Sequence, residues 1–511
     1  MASRESLRTL VKGAGFSLFG SVFSKVSHFA FYWVIARVAG ADGFGVFSVA
    51  LAVLGFSQIV SLLGLRGGVN RYVAYYRGQD DEARARGTVR IAVVAVLVSS
   101  LLVAVVVAAG HEYLADLLLD PGTPSRVLYL IAFVVPLEAL SSVFMATLRG
   151  LKRIDFQVAA QNILQGILKI TGFLAFYLAG FDTLVSLVFG YATAMVGTLL
   201  VGLYFVEGRE FPVLRGGARY EPRELLVFSI PLLFTGALNL VVDWTDVLML
   251  GYFGVNADVG IYNIALQVAM VMQIGFTAFG AITGPVLSEL VGKDELGELE
   301  SVLKISNKWV LVLTVPMVAF VFPFASDVVR LFGTEFRQGA SVVVLIGIAM
   351  LVKTTFSMSG TVIKSMGHSN IILANHAVAG VLNFLMNLVL IPQLGIVGAA
   401  IATSVAIGLD GILPGVELYL WKRISPLRPD FVEPVAAAAV STVAIFVGLG
   451  WATDIHYLMI LPVGTVYLFV YGFVLMSIGG LKEEDVYILE AMRDRTGFES
   501  PRIERFVRRF V

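Results

Sequence analysis

The sequence predicts an all-α polytopic membrane protein with about fourteen transmembrane helices. Two observations predict this fold class. Of the 511 residues, 58% are hydrophobic and only 14% are charged, whereas a soluble domain is about 25% charged. Apolar runs of about 20 residues also recur from end to end, and because a backbone in lipid must satisfy its own hydrogen bonds, such runs are helices. The absence of cysteine excludes disulfides and thiolate metal sites.

The apolar runs divide the chain into two lobes and an appended pair of helices. The predicted helices lie at 14–38, 44–65, 88–110, 127–148, 158–180, 183–206, 225–252, 259–284, 306–328, 340–363, 370–391, 396–420, 435–453 and 457–480. We expect an N-lobe at 1–206, a cytoplasmic linker at 207–224 and a C-lobe at 225–420. The appended helices occupy 421–480, and 481–511 reads as a cytoplasmic amphipathic tail on the membrane surface.

The distribution of basic residues predicts the orientation of these helices. With the N-terminus inside, the outer segments hold only Arg37, Arg126, Arg330 and Arg337, and three lysines fall within helices. The rest of the 37 Lys and Arg residues fall in inner segments. This bias follows the positive-inside rule, so both termini are expected in the cytoplasm and the protein in the plasma (inner) membrane.

An internal repeat relates the two lobes. The segment 45–51 (GVFSVAL) recurs at 260–266 (GIYNIAL), an offset of 215 residues, and Gln58-Ile59 recurs as Gln273-Ile274. The repeat maps predicted helices 2–3 onto 8–9, so the lobes share one orientation about an axis along the membrane normal. This arrangement is typical of a two-lobed transporter with a central cavity.

Several motifs resemble the polysaccharide-transporter, or Wzx-type, flippases of the multidrug/oligosaccharidyl-lipid/polysaccharide superfamily. The motifs are 35–37 (IAR) with 40–47 (GADGFGVF), 229–231 (SIP) leading to Asp243, 260–262 (GIY), and 383–387 (NFLMN) running through 391–392 (IP) and 394–395 (LG) to 398–403 (GAAIAT). The resemblance implies twelve or fourteen helices in two six-helix lobes around a cationic cavity. It also implies transport of a lipid-linked oligosaccharide.

Ionisable side chains inside a bilayer are costly unless they face water or a partner, so they indicate function. Lys25, Lys169 and Lys353 lie near the middle of predicted helices 1, 5 and 10. Together with Arg37 and His28 they are the predicted ligands of an anionic head group. The alternative, that each lysine pairs with a buried acid and only fixes helix packing, stays open. Basic residues at inner helix ends are interpreted as topology signals that could also touch an incoming anion: Arg66, Arg71, Arg149, Lys152 and Arg153.

Acids and amides in the predicted helices are candidates for ion coupling, gating and sugar contact. Asp243 and Asp246 share a face of helix 7, where two carboxylates could bind sodium or a proton, or could instead hydrate an extracellular cavity mouth. The repeat offset relates Glu138 to Lys353, which suggests an ion-pair gate across the pseudo-axis, with local neutralisation as the alternative. Asp410 is a weaker candidate of the same kind. The candidate sugar contacts are Asn162, Gln165, Asn239, Asn263, Gln267 and Gln273.

These observations favour a flippase that moves a lipid-linked oligosaccharide (on a polyprenyl phosphate or pyrophosphate) to the outer leaflet by alternating access. The alternatives are a cation-coupled exporter of drugs or metabolites and a membrane glycosyltransferase or ligase. The sequence shows no loop Asp-x-Asp pair, P-loop or dinucleotide fingerprint. We therefore expect no catalytic residues, metal site or cofactor, but a coupling sodium ion, proton or membrane potential. The expected partners are the substrate, membrane lipids and glycan-assembly enzymes, without nucleic acid, around a monomer.

Overall fold

The structure, a computed structural model, describes residues 4–213, 215–427, 431–449 and 459–480. Side chains at 4–22, 209–210, 235, 237–243, 274, 278 and 281–282 lie outside the description. No strand occurs among the described residues, which confirms the predicted all-α class. The predicted amphipathic tail at 481–511 lies outside the described residues.

The first half of the chain forms α1 to α9. Their bounds are α1 Arg4–Leu62, α2 Leu65–Arg77, α3 Glu82–Ala109, α4 His111–Leu118, α5 Arg126–Gly150, α6 Ile154–Val158, a π-helical turn Ala159–Leu164, α7 Gln165–Leu178, α8 Thr183–Phe205, a π-helical turn Val206–Glu210 and α9 Pro222–Phe253.

The second half forms α10 to α17. Their bounds are α10 Asn256–Met270, a 3₁₀ turn Val271–Gln273, α11 Ile274–Lys293, α12 Leu296–Arg330, a 3₁₀ turn Thr334–Gly339, α13 Ala340–Thr355, α14 Ser359–Ser365, α15 Ser369–Lys422, α16 Val432–Gly448 and α17 Ile460–Ser477.

Two long helices each contain a break where the sequence predicts two separate spans. α1 departs from helical geometry at Gly40 (φ 70°, ψ −177°) and α15 at Gly395 (φ 56°, ψ −132°). Positive φ is open to glycine at little cost, so these residues mark the boundaries between predicted helices 1 and 2 and between 11 and 12. Eight helices of the described chain are long and apolar enough to cross a membrane. The count of fourteen stays a prediction.

The helices form two compact units, residues 1–260 and 261–511. In the first unit, α5 lies against α1, α2, α3 and α8, and α7 packs on α8. Its core is aliphatic and aromatic, with Val143, Leu148 and Val89 fully buried. The boundary between the units places α9 in the same unit as the first six predicted helices. The sequence repeat instead assigns α9 to the second lobe. The predicted division into lobes stays a prediction.

In the second unit the two appended helices have a defined docking surface. α16 and α17 pack on each other and on α12. The Tyr471 hydroxyl of α17 donates to the Val312 carbonyl oxygen of α12 at 3.0 Å, and Phe320 of α12 lies 5.3 Å from the ring of Tyr467. The appended pair is therefore held by α12 through buried aromatic side chains.

Two glycines related by the sequence repeat make a reciprocal contact in the first unit. A side chain at Gly45 would overlap the carbonyl oxygen of Asn256, and one at Gly260 would overlap that of Ala41. The two backbone segments thus touch with no side chain between them. This contact requires glycine at the first position of both copies of the repeat.

Candidate functional site

A cavity of about 450 Å³ in the first unit is lined by two arginines and several amides. Arg66 lies in the first turn of α2 and Arg149 in the last turn of α5. Gln58, Asn70 and Gln157 also line the cavity. We call this site the arginine cavity. Its described lining contains no acid, so its polar groups suit an anion.

The turn between α1 and α2 brings Arg66 into the cavity. Leu63 (φ 50°) and Gly64 (φ 71°) both adopt left-handed backbone geometry between the two helices. A side chain at Gly64 would overlap the carbonyl oxygen of Ser229 in α9. This tight turn orients α2 so that its first turn faces α5.

Amides fix the orientation of Arg149. Its Nε donates to Gln157 Oε1 at 3.0 Å, and Gln157 Nε2 donates to Gln161 Oε1 at 2.8 Å. On the other wall, Gln58 Nε2 donates to the Val135 carbonyl oxygen at 2.9 Å. A guanidinium held by one nitrogen keeps its other N–H groups for a ligand. The geometry therefore resembles a preformed phosphate site.

A second group of charged side chains in the same unit surrounds Glu138. The Tyr191 hydroxyl lies 3.5 Å from Glu138 Oε2, and Lys169 Nζ lies 4.4 Å from the Tyr191 ring centroid. We call Glu138, Lys169 and Tyr191 the Glu138 cluster. Its one acid and one cation carry opposite charges, so the cluster adds no net negative charge to the first unit.

In the second unit, Asp410 is shared between two basic side chains. Lys353 Nζ of α13 lies 2.8 Å from Asp410 Oδ2, and His376 Nδ1 lies 2.5 Å from Asp410 Oδ1. His376 and Asp410 lie on opposite sides of the break in α15. A side chain at Gly411 would overlap Lys353 Cα, so glycine lets α13 approach this turn. We call Lys353, Asp410 and His376 the Asp410 triad.

The structure gives both candidates for the predicted ion-pair gate partners in their own units. Lys353 pairs with Asp410, and Glu138 lies beside Tyr191 and Lys169. The predicted gate and its alternative, local neutralisation, both stay predictions. Lys25 is exposed on α1, one turn before His28. The His28 ring lies 4.3 Å from that of Tyr32. Neither residue lines the arginine cavity, and Arg37 is exposed further along α1.

The structure gives the immediate surroundings of most of the remaining candidates. Asn162 is in the π-helical turn before α7, and Gln165 lies 3.4 Å from Met195 Sδ. Asn263 is buried and Gln267 half-buried, while Gln273 Nε2 contacts Met350 Sδ at 3.0 Å. Asp246 is buried in α9. The side chains of Asn239 and Asp243 lie outside the described residues. The roles proposed for these residues stay predictions.

Three features of the sites do not follow from the sequence pattern. Arg66 and Arg149 are interpreted from the sequence as topology signals that could also touch an anion, but their convergence on one cavity is not predicted. His376 carried no signal, since its partner Asp410 lies beyond the Gly395 break. A buried polar network nearby was likewise hidden in the 383–403 motif: Tyr262 OH lies 2.9 Å from Thr403 Oγ1, and Asn383 Nδ2 donates to the same oxygen at 3.3 Å.

Comparison with known proteins connects these sites to a family. The sequence profile of the polysaccharide biosynthesis protein family matches residues 10–291, more than half of the chain. The chain belongs to this family. A second profile, that of the MatE family, matches residues 231–389. The resemblance to the multidrug/oligosaccharidyl-lipid/polysaccharide superfamily is thereby confirmed.

Curated relatives of this family member carry transporter names. It is 23% identical over 415 residues to the probable low-salt glycan biosynthesis flippase Agl15 of Haloferax volcanii, which covers 80% of this chain and 82% of the relative. It is 21% identical over 414 residues to the putative O-antigen transporter of Shigella flexneri, covering 79% and 96%. These relatives confirm a membrane transporter rather than an enzyme.

Solved structures of the superfamily share the fold of this family member. The lipid II flippase MurJ in an inward closed conformation matches with a TM-score of 0.71 at 12% identity, covering 90% of this chain and 98% of MurJ. An inward-facing multidrug transporter of the MATE family matches with a TM-score of 0.62 at 18% identity, covering 80% and 95%. At such identities the likeness shows the fold alone, and it confirms the predicted polytopic class.

Proposed function

We propose that this protein is a flippase that carries a lipid-linked oligosaccharide from the cytoplasmic to the outer leaflet by alternating access. The arginine cavity is the observation that carries this proposal. Two guanidinium groups and three amides line it, with no acid among the described lining residues, which suits the phosphate or pyrophosphate that joins a polyprenol to its sugar. The glycan biosynthesis flippase and O-antigen transporter among its relatives support the same substrate class.

The arginine cavity would lower the main energetic cost of this transport, which is the transfer of a charged phosphate through the membrane. A bare phosphate is expensive to move through hydrocarbon, and arginine offers paired N–H donors that match phosphate oxygens while keeping its charge at any physiological pH. The amides provide additional polar contacts for phosphate or sugar oxygens. We place the protein in the plasma membrane with both termini cytoplasmic, as a monomer that receives its substrate from glycan-assembly enzymes.

The proposal is tested by deleting the gene and measuring lipid-linked glycan on each face of the membrane. We expect glycan to accumulate on the cytoplasmic face and surface glycan to fall, with rescue by the wild-type chain. The Arg66→Gln/Arg149→Gln double variant should not rescue. Arg77→Gln, a matched change at an exposed position of α2, should rescue fully. Normal surface glycan in the deletion strain would overturn the proposed function.

The MatE profile at residues 231–389 favours a second candidate, a cation-coupled drug or metabolite exporter. The arginine cavity argues against lipophilic cations, because two fixed positive charges repel them. The same deletion strain separates the two functions. A flippase leaves resistance to ethidium unchanged, whereas an exporter of cationic drugs lowers it several-fold on deletion.

A further inference from the structure

We propose that the Asp410 triad binds the anionic head group by exchange: the phosphate displaces the Asp410 carboxylate from Lys353, and His376 takes up one proton. This inference deepens the proposed function, on which it rests, and assigns the triad a phosphodiester ligand and a coupled proton. Asp410 is shared between two basic side chains. One carboxylate oxygen faces Lys353 at 2.8 Å and the other faces His376 at 2.5 Å.

The exposure of the three side chains places the basic groups where an anion would meet them first. The exposed fraction is 30% for Lys353 and 44% for His376, but only 12% for Asp410. An approaching phosphate therefore reaches the ammonium and imidazole before it reaches the acid. Because the lysine ammonium carries three donors on a flexible stem, it can turn from Asp410 to the phosphate without movement of the helices.

In the proposed exchange the imidazole is neutral before binding, and a proton restores the charge balance. With a neutral imidazole, Lys353 and Asp410 sum to zero, and a bound phosphodiester leaves the site with one negative charge. His376 Nδ1–H faces the carboxylate, which only accepts hydrogen bonds, so the free Nε2 is the atom that takes the proton from water. Histidine is the side chain that changes charge readily near neutral pH. Release of the phosphate reverses each step and returns the proton.

The other charged groups near the triad have different roles or partners. Glu417, two turns beyond Asp410 on α15, accepts from Asn375 Nδ2 at 2.8 Å. Lys364 lies on α14, which packs against α15, and Lys308 is buried on α12, which packs against α13. The charged groups that act directly on Asp410 are Lys353 and His376. The proton is therefore assigned to His376.

The test measures proton uptake when the purified full-length protein binds a phosphodiester. Geranyl methyl phosphate is a suitable probe, because its single charge is constant between about pH 5 and pH 9 and it cannot supply or take the proton itself. Calorimetric titration in two buffers of different ionisation enthalpy gives the number of protons taken up. We expect uptake approaching one proton per probe near pH 7, and affinity that rises by up to about tenfold per unit fall in pH.

Four variants assign the proton to the triad. His376→Gln should bind with no proton uptake and no pH dependence, whereas His368→Gln, a matched change at the start of α15, should behave like the wild type. Lys353→Met should lose the proton-linked binding and keep only binding at the arginine cavity, which takes up no proton. Asp410→Asn should bind several-fold more tightly, because no carboxylate has to leave Lys353.

The outcomes separate this inference from the proposed function. Wild-type protein that binds the probe without proton uptake, or that does not bind it, overturns the exchange, and this result depends on no variant. Uptake that persists in His376→Gln also overturns it. Normal surface glycan in the deletion strain together with proton-linked binding would instead reject the flippase and leave the triad as an anion site.

Discussion

In the proposed function, the cationic sites of the two units attract an anion in different ways. In the first unit, Arg66 and Arg149 line one cavity, and their charge is permanent because a guanidinium does not lose its proton in a protein. In the second unit, Lys353 is neutralised by Asp410 and borders a histidine. An anion can enter the first site without displacing any group, but it can bind the second only by taking the place of a carboxylate.

This difference predicts how each site responds to solution conditions. Binding at the arginine cavity should weaken with salt, since it depends on fixed charges, and should be indifferent to pH. Binding at the Asp410 triad should depend on pH, because its charge changes only with a proton.

Reversing one charge in the arginine cavity should have the largest effect. Arg149→Glu places a carboxylate opposite Arg66, so the two residues pair and the attraction for phosphate is lost. Both arginines are exposed, so the change acts by removing a screened attraction for the phosphate, and we expect glycan export in the complemented deletion strain to fall by more than about tenfold. Arg77→Glu, with the same charge change on the exposed end of α2, is the control. Export above half of the wild-type rate in Arg149→Glu would contradict the role of the cavity.

Separating α13 from α15 should disable the second site and leave the first intact. Gly411→Ala forces a methyl group onto the backbone of Lys353, and such overpacking typically costs about 1–3 kcal/mol. We expect a melting temperature lowered by several degrees and no proton uptake on binding geranyl methyl phosphate. Gly408→Ala on the same helix is the matched control, because the methyl group added there would lie 4.0 Å from its nearest neighbour, Val352 Cγ1. Equal proton uptake in both variants would show that the triad does not need this approach.

Removing the Gln157 amide that holds Arg149 should have a smaller effect, a loss of anion affinity at the arginine cavity alone. Gln157→Ala removes the acceptor at 3.0 Å from Arg149 Nε, and a hydrogen bond to a charged group is worth about 1.5–3 kcal/mol. Because water replaces part of it, we expect probe affinity at the arginine cavity to fall about three- to tenfold. The cavity is best measured in the Lys353→Met background, where the triad is silent. An unchanged affinity would mean that Gln157 does not position the guanidinium.

The smallest effect concerns an acid of the first unit that lies away from the cavity. Burial, reinforced by Asp120, raises the pKa of Asp258, which precedes the predicted span at 259–284. A raised carboxyl pKa means that ionisation of Asp258 lowers the stability of the folded state. This loss is absent below the pKa of the unfolded chain, about 3.9, and is complete above the pKa of the folded state. Asp258→Asn should therefore raise the melting temperature by about 1 °C at pH 7 and by nothing near pH 3.5. Equal gains at both pH values, or a gain from the exposed control Asp116→Asn, would contradict this cause.

The sequence predicted most of the fold because hydrophobic run length is a local property. Most predicted spans coincide with one helix or with one arm of a broken helix, and the breaks at Gly40 and Gly395 fall between predicted spans. The predicted spans at 158–180, 259–284 and 340–363 each extend over more than one helical element. The short helix α2 was not expected, because Leu65–Arg77 is too polar for a span and carries its apolar side chains on one face.

The sites were predicted less well because they depend on contacts between distant positions. Lys169 and Lys353 were selected for their depth in the membrane, and depth does not reveal that Asp410 is the partner of Lys353. His376 could be assigned only once the two arms of α15 were seen to face each other. Arg66 and Arg149 are far apart in sequence, and only the turn at Gly64 together with the end of α5 brings them to one cavity.

The reciprocal contact of Gly45 and Gly260 has a consequence for how motion in this protein can be distributed. Where side chains separate two segments, their rotamers can adjust by small steps and the gap can widen gradually. Here backbone rests on backbone, so no side-chain rotamer can absorb a small shift between α1 and the first residues of α10. Such a joint either stays in contact or parts as a whole, which favours two discrete arrangements over a continuous range.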